Sequence, residues 1–375
     1  MPWMRLPILR KGDGPAVKKG AEMKLAWSKV GVTAFSATFF SALVFTDVSK
    51  ADPVADFYRG KTITLQVGFA AGGGYDLVTR LVARHMPKHI PGNPTVAVSN
   101  MPGAGSIVMA SYIYNVAPKD GTMLGIGAAS VMLEPLYGNK NAKYDPDKFE
   151  WIGSMNTESH ACAVWKGAGI GATTLDDLIK SKKTVTFGSP SPETENTRIP
   201  MFLKHIAGAP FKVVHGYPGT KPIMLAAQRG EVDATCGMAE SSVKSAYKSE
   251  FESGDLKIIF HVNLEQDRIG AFGDAVGVRR FLNTDEMKAV GEIMFRTAAI
   301  TRPLMAPPGT PKDVVAALRT ALTNTMNDPA TIADGKQLDI DFEPITGEKL
   351  AQIMAGFQHT PKAVIEKALE LGKAD

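Results

Sequence analysis

The sequence predicts an α/β protein of two units, each a mostly parallel sheet flanked by helices. Three observations carry this expectation. Strand-like runs rich in β-branched residues alternate with amphipathic helical runs, and the alternation occurs on both sides of Trp151. Such alternation marks βαβ units feeding a parallel sheet. The chain has 375 residues, 44% hydrophobic and 21% charged, which is enough for two cores in a soluble composition. No Pro/Gly/Ser-rich linker separates the two alternating stretches. Units joined without a linker imply lobes connected by crossing strands, as in a hinged clamp. The expected crossings lie at 151–157 and 262–266. They assign 52–155 plus 267–375 to one lobe and 156–266 to the other.

The elements follow in order. Residues 61–69 (KTITLQVGF) read as a strand, broken by the glycines of 70–75. Leu77, Leu81, Val82 and Met86 then share one helical face from Asp76 onward. Strands are expected at 95–98 and 122–126, the second introduced by the turn Pro118-Lys119-Asp120-Gly121, with a helix at 105–115 between them. Beyond Trp151, Thr174 caps a helix with Asp177 three residues on. Strands at 184–188, 212–217, 232–236 and 256–262 alternate with helices at 193–206 and 219–229. The last hundred residues read as mainly helical around the proline-rich break at 306–311.

Residues 1–51 read as a secretion signal. Lys18, Lys19, Lys24 and Lys29 precede a charge-free apolar run of 16 residues, 30–45, and Ser49-Lys50-Ala51 offers small residues for cleavage. The run falls short of the roughly 20 residues that a spanning helix needs. Met23 gives a leader of more usual length than Met1. The formal charge of +4 belongs to this segment. Eight of the 42 basic and three of the 38 acidic residues lie within it, leaving 34 and 35 beyond Ala51. A remainder near −1 does not suit a phosphate-binding surface, so no nucleic-acid partner is expected. Cys162 and Cys236 each lie in apolar, strand-like stretches. Buried free thiols are the expected state, although an exported chain can hold a disulfide.

The sharpest motif is Gly72-Gly73-Gly74-Tyr75-Asp76, between a strand and a helix. Without side chains, the glycine N–H groups allow close approach, and the helix N-terminus adds positive potential, so the loop suits a carboxylate or phosphate. Asp76 is placed to cap the helix. Ala71, Gly72, Gly73, Gly74, Tyr75 and Asp76 are therefore candidate ligand residues. The second glycine loop, Asn100 to Ser106, follows a neighbouring strand and adds Gly103, and Ser130 joins the candidates beyond the third strand. Loops of this kind gather at the carboxyl edge of a parallel sheet, where ligands bind. The other unit offers Ser189 and Ser191 after a strand, and Gly219 and Thr220 before a helix. Ordinary helix capping competes for all four.

Other chemistries find little support. A dinucleotide fingerprint from Gly72 would need glycine where Leu77 stands, and no stretch ends as a P-loop does. Ser189 is not in a nucleophile elbow. His85 and His89 have zinc-helix spacing, but Pro87 lies between them and Met86 stands where glutamate is needed. Glu231 and Asp233 read as a solvated turn. No metal, cofactor or catalytic set is expected.

Over nearly the whole exported chain the sequence resembles the substrate-binding receptors of tripartite tricarboxylate transporters, the Bug family. The resemblance is strongest from Ile63 through His89-Ile90-Pro91-Gly92-Asn93-Pro94 to Ser106, from Tyr217-Pro218-Gly219-Thr220 to Ala234, and from Pro303 to Thr310. It implies a two-lobed periplasmic binding protein fold of type II. The ligand would be a small carboxylate, such as a di- or tricarboxylate, held between the lobes by backbone amides of the first glycine loop. It also implies a periplasmic monomer that hands its ligand to integral membrane permease subunits. Tyr75 is bulky where many relatives are small. An exported enzyme, or a sensory receptor docking a kinase, is the alternative on the same fold.

Overall fold

The computed structural model describes residues 52–171 and 174–374. The secretion signal expected over 1–51 lies outside the described residues. The β-branched runs become strands in chain order. β1 (Thr62–Val67), β2 (Thr95–Asn100), β3 (Met123–Ile126) and β4 (Glu150–Asn156) enter a first sheet. β5 (His160–Trp165), β6 (Val185–Ser189), β7 (Phe211–His215), β8 (Ala234–Ala239), β9 (Leu256–Val262) and β10 (Val276–Gly277) form a second. β11 (Thr301–Ala306) and β12 (Ile345–Thr346) return to the first. The strand orders are β12-β4-β11-β3-β1-β2 and β10-β9-β5-β8-β6-β7. In the first sheet β1 to β4 run one way and β11 and β12 the other. In the second only β5 is reversed. The fold is the expected two-lobed α/β arrangement, with helices flanking each sheet.

Burial explains the sequence pattern. Ile63, Leu65 and Val67 of β1 are fully buried. They share one apolar core with Val78 and Val82 of the helix Gly74–His85 and with Leu318 and Leu322 of the helix Lys312–Asn327. The second sheet buries Phe187, Phe202, Phe211 and Phe260, with the Phe187 and Phe211 rings 4.8 Å apart. Among the described residues, no helix is long and apolar enough to cross a membrane.

Four expectations need correction. The chain crosses to the second sheet between Asn156 and His160, but it does not return at 262–266. Val276 and Gly277 pair in parallel with β9, so the second sheet extends past that point. The C-terminal helix Lys362–Gly372, expected in the first lobe, packs on the helix Glu195–Ala207. His205 Nδ1 lies 2.9 Å from the Leu371 carbonyl oxygen, and the second-lobe Phe202 ring meets Phe295 edge to face at 5.1 Å. β11 sits centrally in the first sheet, within the last hundred residues, expected to be mainly helical. Finally, Cys162 and Cys236 form a disulfide rather than free thiols. The reason is tertiary: antiparallel pairing of β5 with β8, at a bulge beside Cys162, brings together residues 74 positions apart.

Candidate functional site

The loops leaving the carboxyl ends of β1, β3, β6 and β7 converge on one cavity, as the topology of such sheets requires. Its volume is about 40 Å³. At roughly 10–15 Å³ per water, that is room for about three waters. Across the cleft the Ala70 N–H donates to the Pro218 carbonyl oxygen at 2.9 Å, so the two sheets' loops touch here.

The β1 loop is built around Gly72, whose φ of +81° suits glycine alone. Its N–H donates to Asp76 Oδ2 at 2.8 Å. Asp76 lies in the first turn of the helix, with Gly73 as N-cap. It also accepts from Arg80 Nε at 2.9 Å and from Asn100 Nδ2 at 3.0 Å. Burial pushes the Asp76 carboxyl up, but the bonds from Arg80, Gly72 and Asn100 outweigh it and hold the group below the usual carboxylate range. The Gly72 amide is thus committed to Asp76 and is not offered to a ligand. The first-turn amides of Gly74 and Tyr75 have no acceptor within the helix, so the helix start keeps donors at the cavity wall.

Facing these donors are Thr194, Glu195 and Asn196, which follow β6, and Thr220, which follows β7. Glu195 Oε2 contacts His160 Nδ1, and both side chains are buried. Asn196 is held by hydrogen bonds to the Cys236 carbonyl and Thr235 Oγ1. The Ser130 and Thr297 hydroxyls line the cavity and are 3% and 1% exposed as residues. Neither has a hydrogen-bond partner among the described residues. Buried hydroxyls are normally satisfied, so both are available to a ligand or water in the cavity. Burial, reinforced by the Glu195 charge and partly offset by Arg302, pushes the Tyr75 hydroxyl well above its ordinary range. The Tyr75 ring stacks on Phe69 at 4.7 Å.

Behind the glycine loop lies a buried ion pair that local sequence did not reveal. Arg302 of β11 is fully buried, with φ of +64°. Its guanidinium donates to Glu158 Oε1 at 2.7 Å, to the Gly74 carbonyl at 3.2 Å and to Ser241 Oγ at 2.9 Å. The Ser241 N–H also donates to Glu158 Oε2 at 2.6 Å. One side chain thereby ties the first-sheet loop, the β4–β5 crossing and the helix Glu240–Lys244.

Of the candidate residues, Gly73, Gly74, Tyr75, Ser130 and Thr220 lie on the cavity wall. Ala71 and Gly72 lie off it, and Asp76 sits behind as a brace. Gly103 faces Val108 instead. Gly219 caps the helix Thr220–Gln228 beside Ala70. Ser191 faces Gly105, with its hydroxyl buried and unpartnered among the described residues. Ser189 does not offer a ligand contact. Its hydroxyl is fully buried and bonded to Thr194, Thr197 and the Ser191 carbonyl. Sequence reasoning missed His160, Glu195 and Thr297. A first-turn acid such as Glu195 is ordinary helix chemistry and carries no local signal. His85 and His89 contact Asp334 and Asp328.

The model of the tripartite tricarboxylate transporter family receptor matches residues 78–369. A Cupriavidus necator protein, described as a UPF0065 protein in the gbd 5' region, is 27% identical over 332 residues, 86% of this chain and 92% of its own. Among solved structures, the periplasmic binding protein BugD superposes with a TM-score of 0.67 at 22% identity, over 84% of this chain and 99% of that one. An R. palustris protein with adipate gives a TM-score of 0.64 at 19% identity, over 83% and 97%. The loops that close on one cavity are thus carried on a shared two-lobed fold, and the chain belongs to the tripartite tricarboxylate transporter receptor family.

Proposed function

We propose that this chain is an exported solute receptor. It closes its two lobes on a small organic acid and delivers it to membrane permease subunits, without catalysis. The observation that carries this reading is the cavity itself. The first-turn amides of the helix Gly74–His85 meet two buried hydroxyls without partners among the described residues, Ser130 and Thr297, in a space that the two sheets' loops enclose. A carboxylate there accepts from both. Micromolar affinity needs roughly 8 kcal/mol. Charge-assisted hydrogen bonds contribute about 1.5–3 kcal/mol each, so a few suffice once closing and ordering are offset. The adipate recorded with the R. palustris protein supports an organic acid as the ligand class.

Titration calorimetry against a library of organic acids tests the reading, with Gly73→Val as control. Gly73 has ordinary extended backbone, φ −87° and ψ 174°, and an added Cβ meets nothing closer than the Ala70 carbonyl at 3.9 Å. The Cβ itself meets no clash, and it projects from a residue of the cavity wall. Full affinity in a folded Gly73→Val variant sinks the site assignment. Export is tested by N-terminal sequencing of periplasmic material, which is expected to begin near Asp52. A start that retains 30–45 refutes cleavage. The lobe division, with crossings at 157–159 and between Gly277 and Thr301, is tested by small-angle scattering with and without ligand. Compaction is expected, and an unchanged profile at saturation refutes hinged closure.

A further inference from the structure

The two walls of the cavity differ in charge. On the first-sheet side stands the helix N-terminus at Gly74, while Lys221, carried on the second-lobe helix Thr220–Gln228, is not among the cavity-lining residues. A Cβ built on Gly72 would lie 2.9 Å from Lys221 Nζ, so this ammonium rests on the glycine loop. On the second-sheet side stands Glu195, the first residue of the helix Glu195–Ala207, whose side chain is nearly closed off from solvent. Its Oε2 meets His160, and Oε1 accepts no hydrogen bond from the described residues. The carboxylate is held at the cavity because His160, at the start of β5, and the helix start both favour negative charge there.

No lysine or arginine is among the cavity-lining residues, and Arg302 behind Tyr75 is committed to Glu158. The ionisable groups on the wall are Glu195, His160 and Tyr75, and Tyr75 stays protonated. With the imidazole charged, the wall is neutral. With it neutral, the wall carries one negative charge. In neither state does it balance a dianion. A dicarboxylate seated at the glycine loop brings its second charge toward Glu195, in a closed space where like charges repel far more than in water. A ligand with one carboxylate and one cationic nitrogen satisfies both walls.

We propose that Glu195 is the specificity-determining residue of the cleft, selecting a zwitterionic monocarboxylate over a dicarboxylate. The proposal rests on the receptor reading above and narrows its ligand class. The cationic nitrogen donates to Glu195, in place of or alongside His160, while the carboxylate lies at Gly73–Tyr75 with the Ser130 and Thr297 hydroxyls. Specificity then comes from repulsion against the wrong partner as much as from attraction to the right one.

Calorimetry on paired probes decides the matter. The probes are ω-amino acids with two to five methylenes, each beside the dicarboxylate with the same number of methylenes. The wild-type chain is expected to bind an amino acid at least tenfold more tightly than its dicarboxylate pair. Glu195→Gln is expected to weaken that amino acid at least tenfold and to strengthen the dicarboxylate, in a variant that melts confirm to be folded. Glu195→Asp keeps the charge and is expected to keep the order of preference, which a merely structural role would not require. If Glu195→Gln does not fold, the wild-type and Glu195→Asp preferences decide. Tighter dicarboxylate binding by the wild type, or a preference that Glu195→Gln leaves unchanged, overturns the charge selection and leaves the receptor reading intact. Failure of the wild type to bind any member of either series overturns both.

Discussion

Replacing Arg302 with methionine removes the charge that holds Glu158. The guanidinium is fully buried and the Glu158 side chain is 8% exposed, so the carboxylate is left in the interior without its counter-charge. Breaking a buried pair by removing one partner costs about 3–5 kcal/mol. At roughly 2 °C per kcal/mol for a chain this large, the midpoint falls by about 6–10 °C at neutral pH. The pH dependence supplies the sharper test. Burial pushes Glu158 up, but Arg302 and the Ser241 hydrogen bonds outweigh it and hold the group below the usual carboxylate range. Its folded value lies under its unfolded one, so its contribution is complete above the unfolded value and is lost as pH falls through the folded value. In Arg302→Met the same burial is opposed only by the Ser241 hydrogen bonds, and protonation relieves the carboxylate. The stability gap between wild type and variant is therefore widest at neutral pH and narrows as pH falls through the carboxylate range. Replacing Glu158 with glutamine as well removes the stranded charge and recovers at least half of the loss. Thermal melts from pH 7 to pH 4 measure all three. A neutral-pH midpoint within about 2 °C of wild type, or a double variant no better than the single, refutes the argument.

Three further outcomes follow from the packing. In Gly74→Ala the new Cβ would lie 1.9 Å from Ser242 Oγ and 3.0 Å from Ser242 Cβ, so the hydroxyl must rotate away and the contact between the lobes is crowded. Calorimetry is expected to show affinity reduced at least tenfold, and an unchanged value refutes closure at this contact. Ser130→Ala and Thr297→Val remove hydroxyls without partners among the described residues and leave the buried volume nearly unchanged, so melts without ligand stay within about 0.5 kcal/mol of wild type. Ligand affinity falls about fivefold for each, a loss of one modest hydrogen bond, and equal affinity refutes their role. Replacing Cys162 and Cys236 together by serine opens a loop of 74 residues, for which the chain-entropy relation gives about 4 kcal/mol. Denaturant titration checks this, and equal stability with and without reductant refutes the bridge.

What the sequence determined by itself was set by local chemistry. The strand 256–262 was legible residue for residue as β9, because β-branched and aromatic residues in a short run have few other uses. The helix after the triple glycine was legible to within two residues at its start, since its apolar face repeats at helical spacing. The gathering of glycine loops at one sheet edge followed from strand–helix alternation, and Gly73, Gly74, Tyr75, Ser130 and Thr220 were named before any geometry was known. Tertiary structure alone decided the rest, because the deciding contacts join residues far apart in the chain. β11 is a central strand despite Arg302 and Pro303, since Glu158, 144 residues away, accepts the guanidinium. The Ser189 hydroxyl bonds to Thr194 and Thr197, because a buried hydroxyl takes the nearest partners. Cys162 and Cys236 bond because β5 pairs with β8. Glu195, an unremarked acid in the first turn of a helix, becomes the charge on the second wall of the cleft because the strand carrying His160 runs beside it.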